Sequence, residues 1–282
     1  MPASSVVPAA WPGVYRVVGG RILVVSPPTL DLVDGVCRAG GPGLYAGATI
    51  GALGWRAEAI GPVGYATLES ARIERSLGVE RLGYHVDGPG FIFRLEYEGS
   101  SRRVSQVGVP RVIDASTVLS LADGYYEAIL VSPIYGEEPG ILPPLLAGKA
   151  RVVAVDVQGY YRVGLEAPGG ERLVSLSHTG EEEGGGPSSV YVNIVTRGYG
   201  AVTIRYRGGE AVMRDPRGPR LSDPTGAGDA FTGALLVFLS EGYAVEDAVA
   251  EASGIVASVL PDIQSRALLD CDGVNGYSIN TL

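Results

Sequence analysis

One run constrains this chain more than any other: Leu221-Ser222-Asp223-Pro224-Thr225-Gly226-Ala227-Gly228-Asp229-Ala230-Phe231-Thr232-Gly233-Ala234-Leu235-Leu236. Asp-Pro followed by two glycines flanking an alanine favours a tight turn and close approach of a ligand to the backbone. From Ala230 to Leu239 the sequence becomes apolar, rich in Ala, Leu and Phe, and is long enough for a buried helix. Gly226, Ala227 and Gly228 then sit where a loop meets a helix N-terminus. Unsatisfied N–H groups and the positive end of the helix dipole converge there on a space free of side chains. The run predicts an anion cradle with Asp229 at its rim. A carboxylate in that place does not bind the anion; it is placed to accept a proton from an attacking hydroxyl. The plain alternative is a glycine-rich helix entry capped by an aspartate, and Gly-Ala-Gly-Asp alone does not decide between the two.

Bulk properties narrow the classes. With 282 residues, 46% hydrophobic and 19% charged, the chain is suited to one large α/β domain with a substantial core. A net charge of −9 argues against a nucleic-acid backbone as partner, because phosphates require a basic surface. Glycine amides, a few arginines and Mg²⁺ can still give an acidic chain a local site for a nucleotide. The only lysine, Lys149, is followed by Ala150, so there is no Gly-Lys-Ser/Thr P-loop. His85 and His178 stand alone, against a zinc cluster. Cys37 and Cys271 read as two buried thiols in a reducing compartment, with a single bridge left open. No segment approaches a membrane span, and Met1 to Gly20 reads as a loose extension rather than a signal, so the expected location is the cytoplasm.

Along the chain, Ile22–Val25 reads as a buried strand ended by Ser26-Pro27-Pro28, with Thr29 and Asp31 directly after it. Polar groups past the carboxyl end of an α/β strand are where such sheets place ligands. Gly40-Gly41 precedes a helix of small residues through Leu53-Gly54, and Trp55 to Ile60 reads as the next strand. Phe91–Tyr97 and Arg103–Ser105 form two strands about a Glu-Gly-Ser-Ser turn. Ala128–Val131, Val152–Val155 and Val190–Val195 are near-continuous apolar strands spaced by helix-length segments, the pattern of a parallel sheet covered on both faces. Val245 to Leu260 reads as an Ala-rich helix.

Asp223 to Ala234 resembles the C-terminal signature of the ribokinase-like (PfkB) carbohydrate kinase family, and the Gly40-Gly41 to Leu53-Gly54 stretch is similar to its N-terminal signature. The resemblance implies a three-layer α/β/α fold with a mainly parallel central sheet and a small β lid or sheet extension. It places the kinase domain at 21–262, with lid strands about 91–107, after an extension at 1–20 and before a tail at 263–282. It implies Asp229 as catalytic base and the amides of Gly226, Ala227 and Gly228 as anion hole. Asp31, Gly40 and Gly41 would contact the acceptor. Tyr45 stands where many members carry a substrate-binding Asn, which speaks against ribose. Asp156-Val157-Gln158-Gly159-Tyr160-Tyr161-Arg162 resembles a run in the inositol and archaeal sugar kinase branch, making Arg162 either a pocket contact or a structural ion pair. Thr196, Arg197, Gly198 and Gly200, with Thr225, match the family's nucleotide contacts. His178-Thr179-Gly180-Glu181 stands where members carry an Asn-x-x-Glu motif tied to Mg²⁺ and phosphate positioning; histidine replaces asparagine, so only Glu181 carries over as a metal-associated residue.

The activity implied is ATP- and Mg²⁺-dependent phosphorylation of a hydroxyl on a small sugar or polyol, with no nucleic acid or membrane as partner and a homodimer allowed. A nucleoside acceptor, or a catalytically idle sugar- or nucleotide-binding relative, stays open. A dinucleotide oxidoreductase is poorer, since Val25 is followed by Ser-Pro-Pro rather than G-x-G-x-x-G.

Overall fold

The computed structural model describes residues 19–33, 35–98, 101–106, 112–178, 187, 189–198, 201–206, 209–214, 221 and 223–270. In chain order, β1 (Arg21–Val25) leads into β2 (Thr29–Val33) and β3 (Val36–Gly40), then α1 (Pro42–Ala52), β4 (Arg56–Ile60) and β5 (Pro62–Val63). Next come α2 (Leu68–Ser76), β6 (Val79–Arg81), β7 (Tyr84–His85), β8 (Phe91–Glu98), β9 (Ser101–Gln106) and α3 (Ala115–Leu121). The middle of the chain supplies β10 (Tyr126–Val131), α4 (Leu142–Leu146), β11 (Ala150–Asp156), α5 (Gln158–Tyr161) and β12 (Gly170–Ser177). It closes with β13 (Val190–Thr196), β14 (Ala201–Tyr206), β15 (Gly209–Arg214), α6 (Ala227–Glu241), α7 (Val245–Arg266) and β16 (Leu268–Leu269).

A nine-stranded sheet in the order β15-β14-β13-β12-β11-β10-β1-β4-β6 forms the centre. From β13 through β6 its neighbours are parallel, and β14 and β15 close one edge as antiparallel strands. Alternation along β1 shows why both faces are dry. Ile22 and Val24 join the core under α1, α6 and α7 with Ile50, Leu235 and Val249, while Leu23 and Val25 join Val118, Leu146 and Tyr160 on the opposite face. This is the expected three-layer α/β/α arrangement. The strand order reverses about β1, so the carboxyl ends of β1, β10, β11, β12 and β13 open on a shared crevice, where open α/β sheets bind ligands.

A second sheet, β16-β3-β2-β8-β9, stands over that edge. It is larger than the two strands read from the sequence. Thr29–Val33 is itself a strand, antiparallel to β3 and parallel to β8, so Asp31 lies within a lid strand rather than in a loop after β1. Paired residues share a face: Thr29 lies beside Gly40 and Phe91, and Asp31 beside Arg38 and Phe93. The opposite face is apolar, with Leu30, Cys37 and Ile92 packed on Ala66. Leu269 of β16 pairs opposite Cys37. Cys37 is disulfide-bonded, which corrects the expectation of two thiols; Cys271 lies outside the described residues. The cause is topological, since the chain after α7 returns to β3. Among the described residues no helix is long and apolar enough to cross a membrane.

Candidate active site

The glycine turn folds as its sequence demands. Asp223 Oδ1 accepts a hydrogen bond of 2.9 Å from the Thr225 amide, closing the turn at Pro224. Gly226 caps α6 with φ 79°, a left-handed conformation that glycine adopts without a Cβ penalty. A Cβ there would also fall 2.5 Å from the Tyr45 ring, so α1 packs directly beneath the turn. The first bond inside the helix runs from the Ala230 amide to Gly226 O, at 2.9 Å. The amides before it have no acceptor within the helix. Of these, Ala227 turns back to Pro224 O at 3.0 Å, and Gly228 opens the first turn, which also carries Asp229. Gln264 of α7 clamps the turn from behind, donating to Asp223 O at 3.1 Å and Thr225 O at 2.9 Å.

The lid sheet faces this turn. Asp31 is 9% exposed and accepts a 3.0 Å hydrogen bond from the Thr29 hydroxyl. A Cβ on Gly40 would collide with Asp31 Oδ2 and Thr29 Oγ1, which is why the strand ends in glycine there. Gly41, with φ 96°, caps α1 and lies against Pro27 O, where a Cβ would come within 2.9 Å. Arg38 donates to Asp223 across the gap at 2.6 Å. Burial raises the pKa of Asp223, but hydrogen bonds from Thr225 and the Arg38 guanidinium outweigh it and hold the carboxyl below its ordinary range. Tyr45, 2% exposed, lies between these elements. Burial pushes its phenol up, reinforced by the charges of Asp31, Asp229 and Asp223 and opposed by Arg38. One phenol therefore senses both the lid carboxylate and the helix carboxylate.

Thr196 ends β13, Arg197 follows with its guanidinium 3.1 Å from Thr203 Oγ1, and Gly198 has φ 57°. His178, one residue past β12, reaches Thr196 on one side and Thr232 of α6 on the other. Glu181 and Gly200 lie outside the described residues. Arg162 donates at 2.9 Å to Ile134 O and braces the loop after β10; Ile134 packs with Phe91 and Phe93 on the face that carries Asp31. Sequence reasoning missed Arg38 and Gln264, which act on the turn from β3 and α7. Arg38 is signalled only as a charge between Cys37 and Ala39, and Gln264 lies in a polar helix end, so neither names its partner.

A phosphate donor fits these residues: the Gly226–Gly228 turn offers helix-start amides at glycines packed on the Tyr45 and His178 rings, and Thr196 connects to it through His178. Among the described residues no group of three His, Cys, Asp or Glu could hold a metal. Mg²⁺ sites at phosphates commonly take one or two carboxylates and complete the shell with phosphate oxygens and water, so the turn with Asp229 is compatible with an ion carried in on the donor.

Residues 188–262 match the model of the pfkB family carbohydrate kinases. A pyrophosphate-dependent kinase in the ribokinase family, solved with a pyrophosphate analogue and myo-inositol, superposes with TM-score 0.66 at 20% identity, over 86% of this chain and 95% of that one. Fructokinase from Vibrio cholerae O395, bound to fructose, ADP and calcium, gives TM-score 0.66 at 17% identity over 84% of this chain and 92% of its own. Ribokinase from Thermotoga maritima gives 0.60 at 18% identity, over 92% and 99%. Among curated protein sequences none matches. The fold is that of the ribokinase-family kinases. The segment that carries the cradle matches the pfkB family model, in line with the resemblance.

Proposed function

We propose that this protein transfers the terminal phosphoryl group of ATP, with Mg²⁺, to a hydroxyl of a small uncharged polyol. The observation that carries the reading is the Arg38–Asp223 contact, which sets the lid strands, where Asp31 lies opposite Arg38, against the turn that opens the helix carrying Asp229: a carboxylate suited to hold acceptor hydroxyls and one suited to deprotonate a hydroxyl belong to the two elements it joins. Asp229 takes the proton as the acceptor oxygen attacks phosphorus, and the bond from phosphorus to the bridging oxygen breaks to release ADP. The Gly226 and Gly228 amides, at the positive end of α6, neutralise charge on the transferring oxygens. Mg²⁺ carried in on the donor, beside the turn with Asp229, would supply further positive charge to the phosphates. Asp31 and the backbone at Gly40-Gly41 orient the acceptor, and orientation with electrostatics supplies most of the rate in this chemistry.

Charge selects the acceptor class. Asp31, Asp223 and Asp229 gather about Tyr45, and the one cation among the groups acting on it, Arg38, is paired with Asp223. A phosphorylated sugar or sugar acid would add an anion to that set, whereas an inositol or neutral sugar adds hydroxyls. A neutral nucleoside is the second reading, favoured by the apolar cluster of Phe91, Phe93 and Ile134 on the same face as Asp31.

The test is phosphoryl transfer from Mg-ATP, and in parallel from pyrophosphate, to myo-inositol, ribose, fructose, adenosine, cytidine, fructose 6-phosphate and 2-keto-3-deoxygluconate. Turnover with a neutral acceptor supports the reading. Turnover confined to the anionic acceptors would overturn the charge argument, and acceptor binding without transfer from either donor would favour the idle relative.

A further inference from the structure

Two adjacent carboxylates in the loop after β10, Glu137 and Glu138, are buried although the cradle and the lid give neither of them a task. They face different parts of the molecule. Glu138 accepts from the amides of Gly140 at 2.9 Å, Ile141 at 2.6 Å and Leu142 at 2.9 Å, and from the Tyr160 hydroxyl, so it fastens the turn that opens α4. Glu137 reaches back along the loop. Its Oε1 accepts from the Ile134 amide and its Oε2 from the Tyr135 amide, each at 2.7 Å. Its backbone carbonyl accepts from the Ile113 amide at 2.7 Å, in the chain that runs from the lid strand β9 to α3.

This loop has no slack. The N–H of Ile134 is held by Glu137 and its C=O by Arg162, so both polar groups of that residue's backbone are fixed. Gly136 reverses the chain with φ 74°, and a Cβ there would fall 2.5 Å from Val163 Cγ2. A Cβ on Gly159 of α5 would come within 2.0 Å of Pro133 O. Held in this way, Ile134 packs on Phe91 and Phe93 of β8, the register partners of Thr29 and Asp31. Glu137 therefore acts on the lid at two places: under β8 through Ile134, and beyond β9 through Ile113. A carboxylate serves two N–H groups with two oxygens, whereas a carboxamide offers one acceptor oxygen and turns N–H groups on the other amide.

We infer that Glu137 is a positioning residue for the lid sheet: it folds the loop after β10 so that Ile134 seats Phe91 and Phe93, and it thereby sets Asp31 against the acceptor. The acceptor half of the inference rests on the kinase reading, and the lid half does not. Loss of the clamp should loosen the lid and weaken the acceptor, while the donor, held at the start of α6, is unaffected.

The experiment compares wild type with E137Q, I134A and E138Q. Hydrogen exchange over Phe91–Glu98 reads the lid with no substrate present. Steady-state kinetics give KM for the acceptor that the panel identifies, and calorimetry gives Mg-ADP affinity. Expected in E137Q and I134A are exchange over β8 and acceptor KM each raised by about tenfold, the scale of one lost buried hydrogen bond, with Mg-ADP affinity unchanged. E138Q removes a buried carboxylate of the same loop that does not face the lid, so it should lower the unfolding temperature while β8 exchange and acceptor KM stay near wild type. I134A leaves both carboxylates in place and stands in if E137Q fails to fold. Wild-type exchange over β8 in I134A or E137Q, or an equal rise in E138Q, would overturn the proposal. Absence of transfer by the wild type would instead overturn the kinase reading and leave the exchange comparison to decide the role of Glu137.

Discussion

Arg38 of β3 and Asp223 of the glycine turn stand 2.6 Å apart, Nη1 to Oδ2, and this ion pair joins the lid sheet to the loop that caps α6. Both side chains are partly shielded, 24% and 31% exposed. Because Asp223 also receives the Thr225 amide, the pair ties lid position to turn geometry. A double-mutant cycle on R38M and D223N should give a coupling of about 1 kcal/mol, at the upper end for exposed pairs. R38M should raise acceptor KM more than donor KM. Independent effects of the two substitutions would separate the lid from the turn.

Asp223 also predicts an acid response. Its folded pKa lies below its unfolded value because hydrogen bonds from Thr225 and Arg38 outweigh the upward push of burial. Such a group contributes stability that is complete above its unfolded pKa and is lost as pH falls through the folded one. Unfolding free energy should therefore decline below about pH 4, the region of an unperturbed aspartate, and D223N should flatten that decline. Denaturant titrations across pH 2–6 check it, and equal slopes for both proteins would contradict it.

Gly226 and Tyr45 make a steric pair. G226A meets both a left-handed backbone and a ring 2.5 Å from the new methyl, so it should cost about 1–3 kcal/mol and abolish donor binding. Adding Y45A removes the ring but not the strained φ, and should restore stability only in part. Thermal unfolding and Mg-ADP calorimetry on the three variants decide this; full recovery in the double variant would mean the backbone conformation carries no cost.

Q264A tests the clamp behind the turn. Two carbonyls, those of Asp223 and Thr225, lose their donor. The loss should cost about 1–2 kcal/mol and lower kcat, while Q264E should not rescue, since a carboxylate cannot donate to a carbonyl. Wild-type kcat in Q264A would free the turn from α7.

The residues themselves explain what could be read before any coordinates. The glycine turn was legible because a positive φ, a helix start and a close approach each restrict residue type within a few positions of one another. The central sheet was legible because strands buried on both faces are continuous runs of Val, Ile and Leu. The β2–β3 hairpin escaped because its strands are short and their few apolar residues, Leu30 and Cys37 among them, alternate with Asp31, Arg38 and Gly40 on the other face. Gly170–Ser177 escaped because its exposed, charged first half hides the buried second half. Arg38, Gln264 and His178 act through partners far away in sequence, and no local pattern encodes such a partner. Tyr45, read as a substrate contact in place of Asn, also packs its ring under Gly226, a contact between α1 and the turn that no local pattern announces.

The most direct test of the account is D229N, assayed beside wild type with the acceptor that the panel identifies. Asn keeps the shape of the side chain and the start of α6 but cannot take a proton from the attacking hydroxyl. The account predicts kcat reduced by about 10²–10⁴-fold, with Mg-ADP and acceptor affinities within a few-fold of wild type. A D229N enzyme with undiminished kcat would contradict Asp229 as the base, and with it the phosphoryl-transfer reading of this cradle.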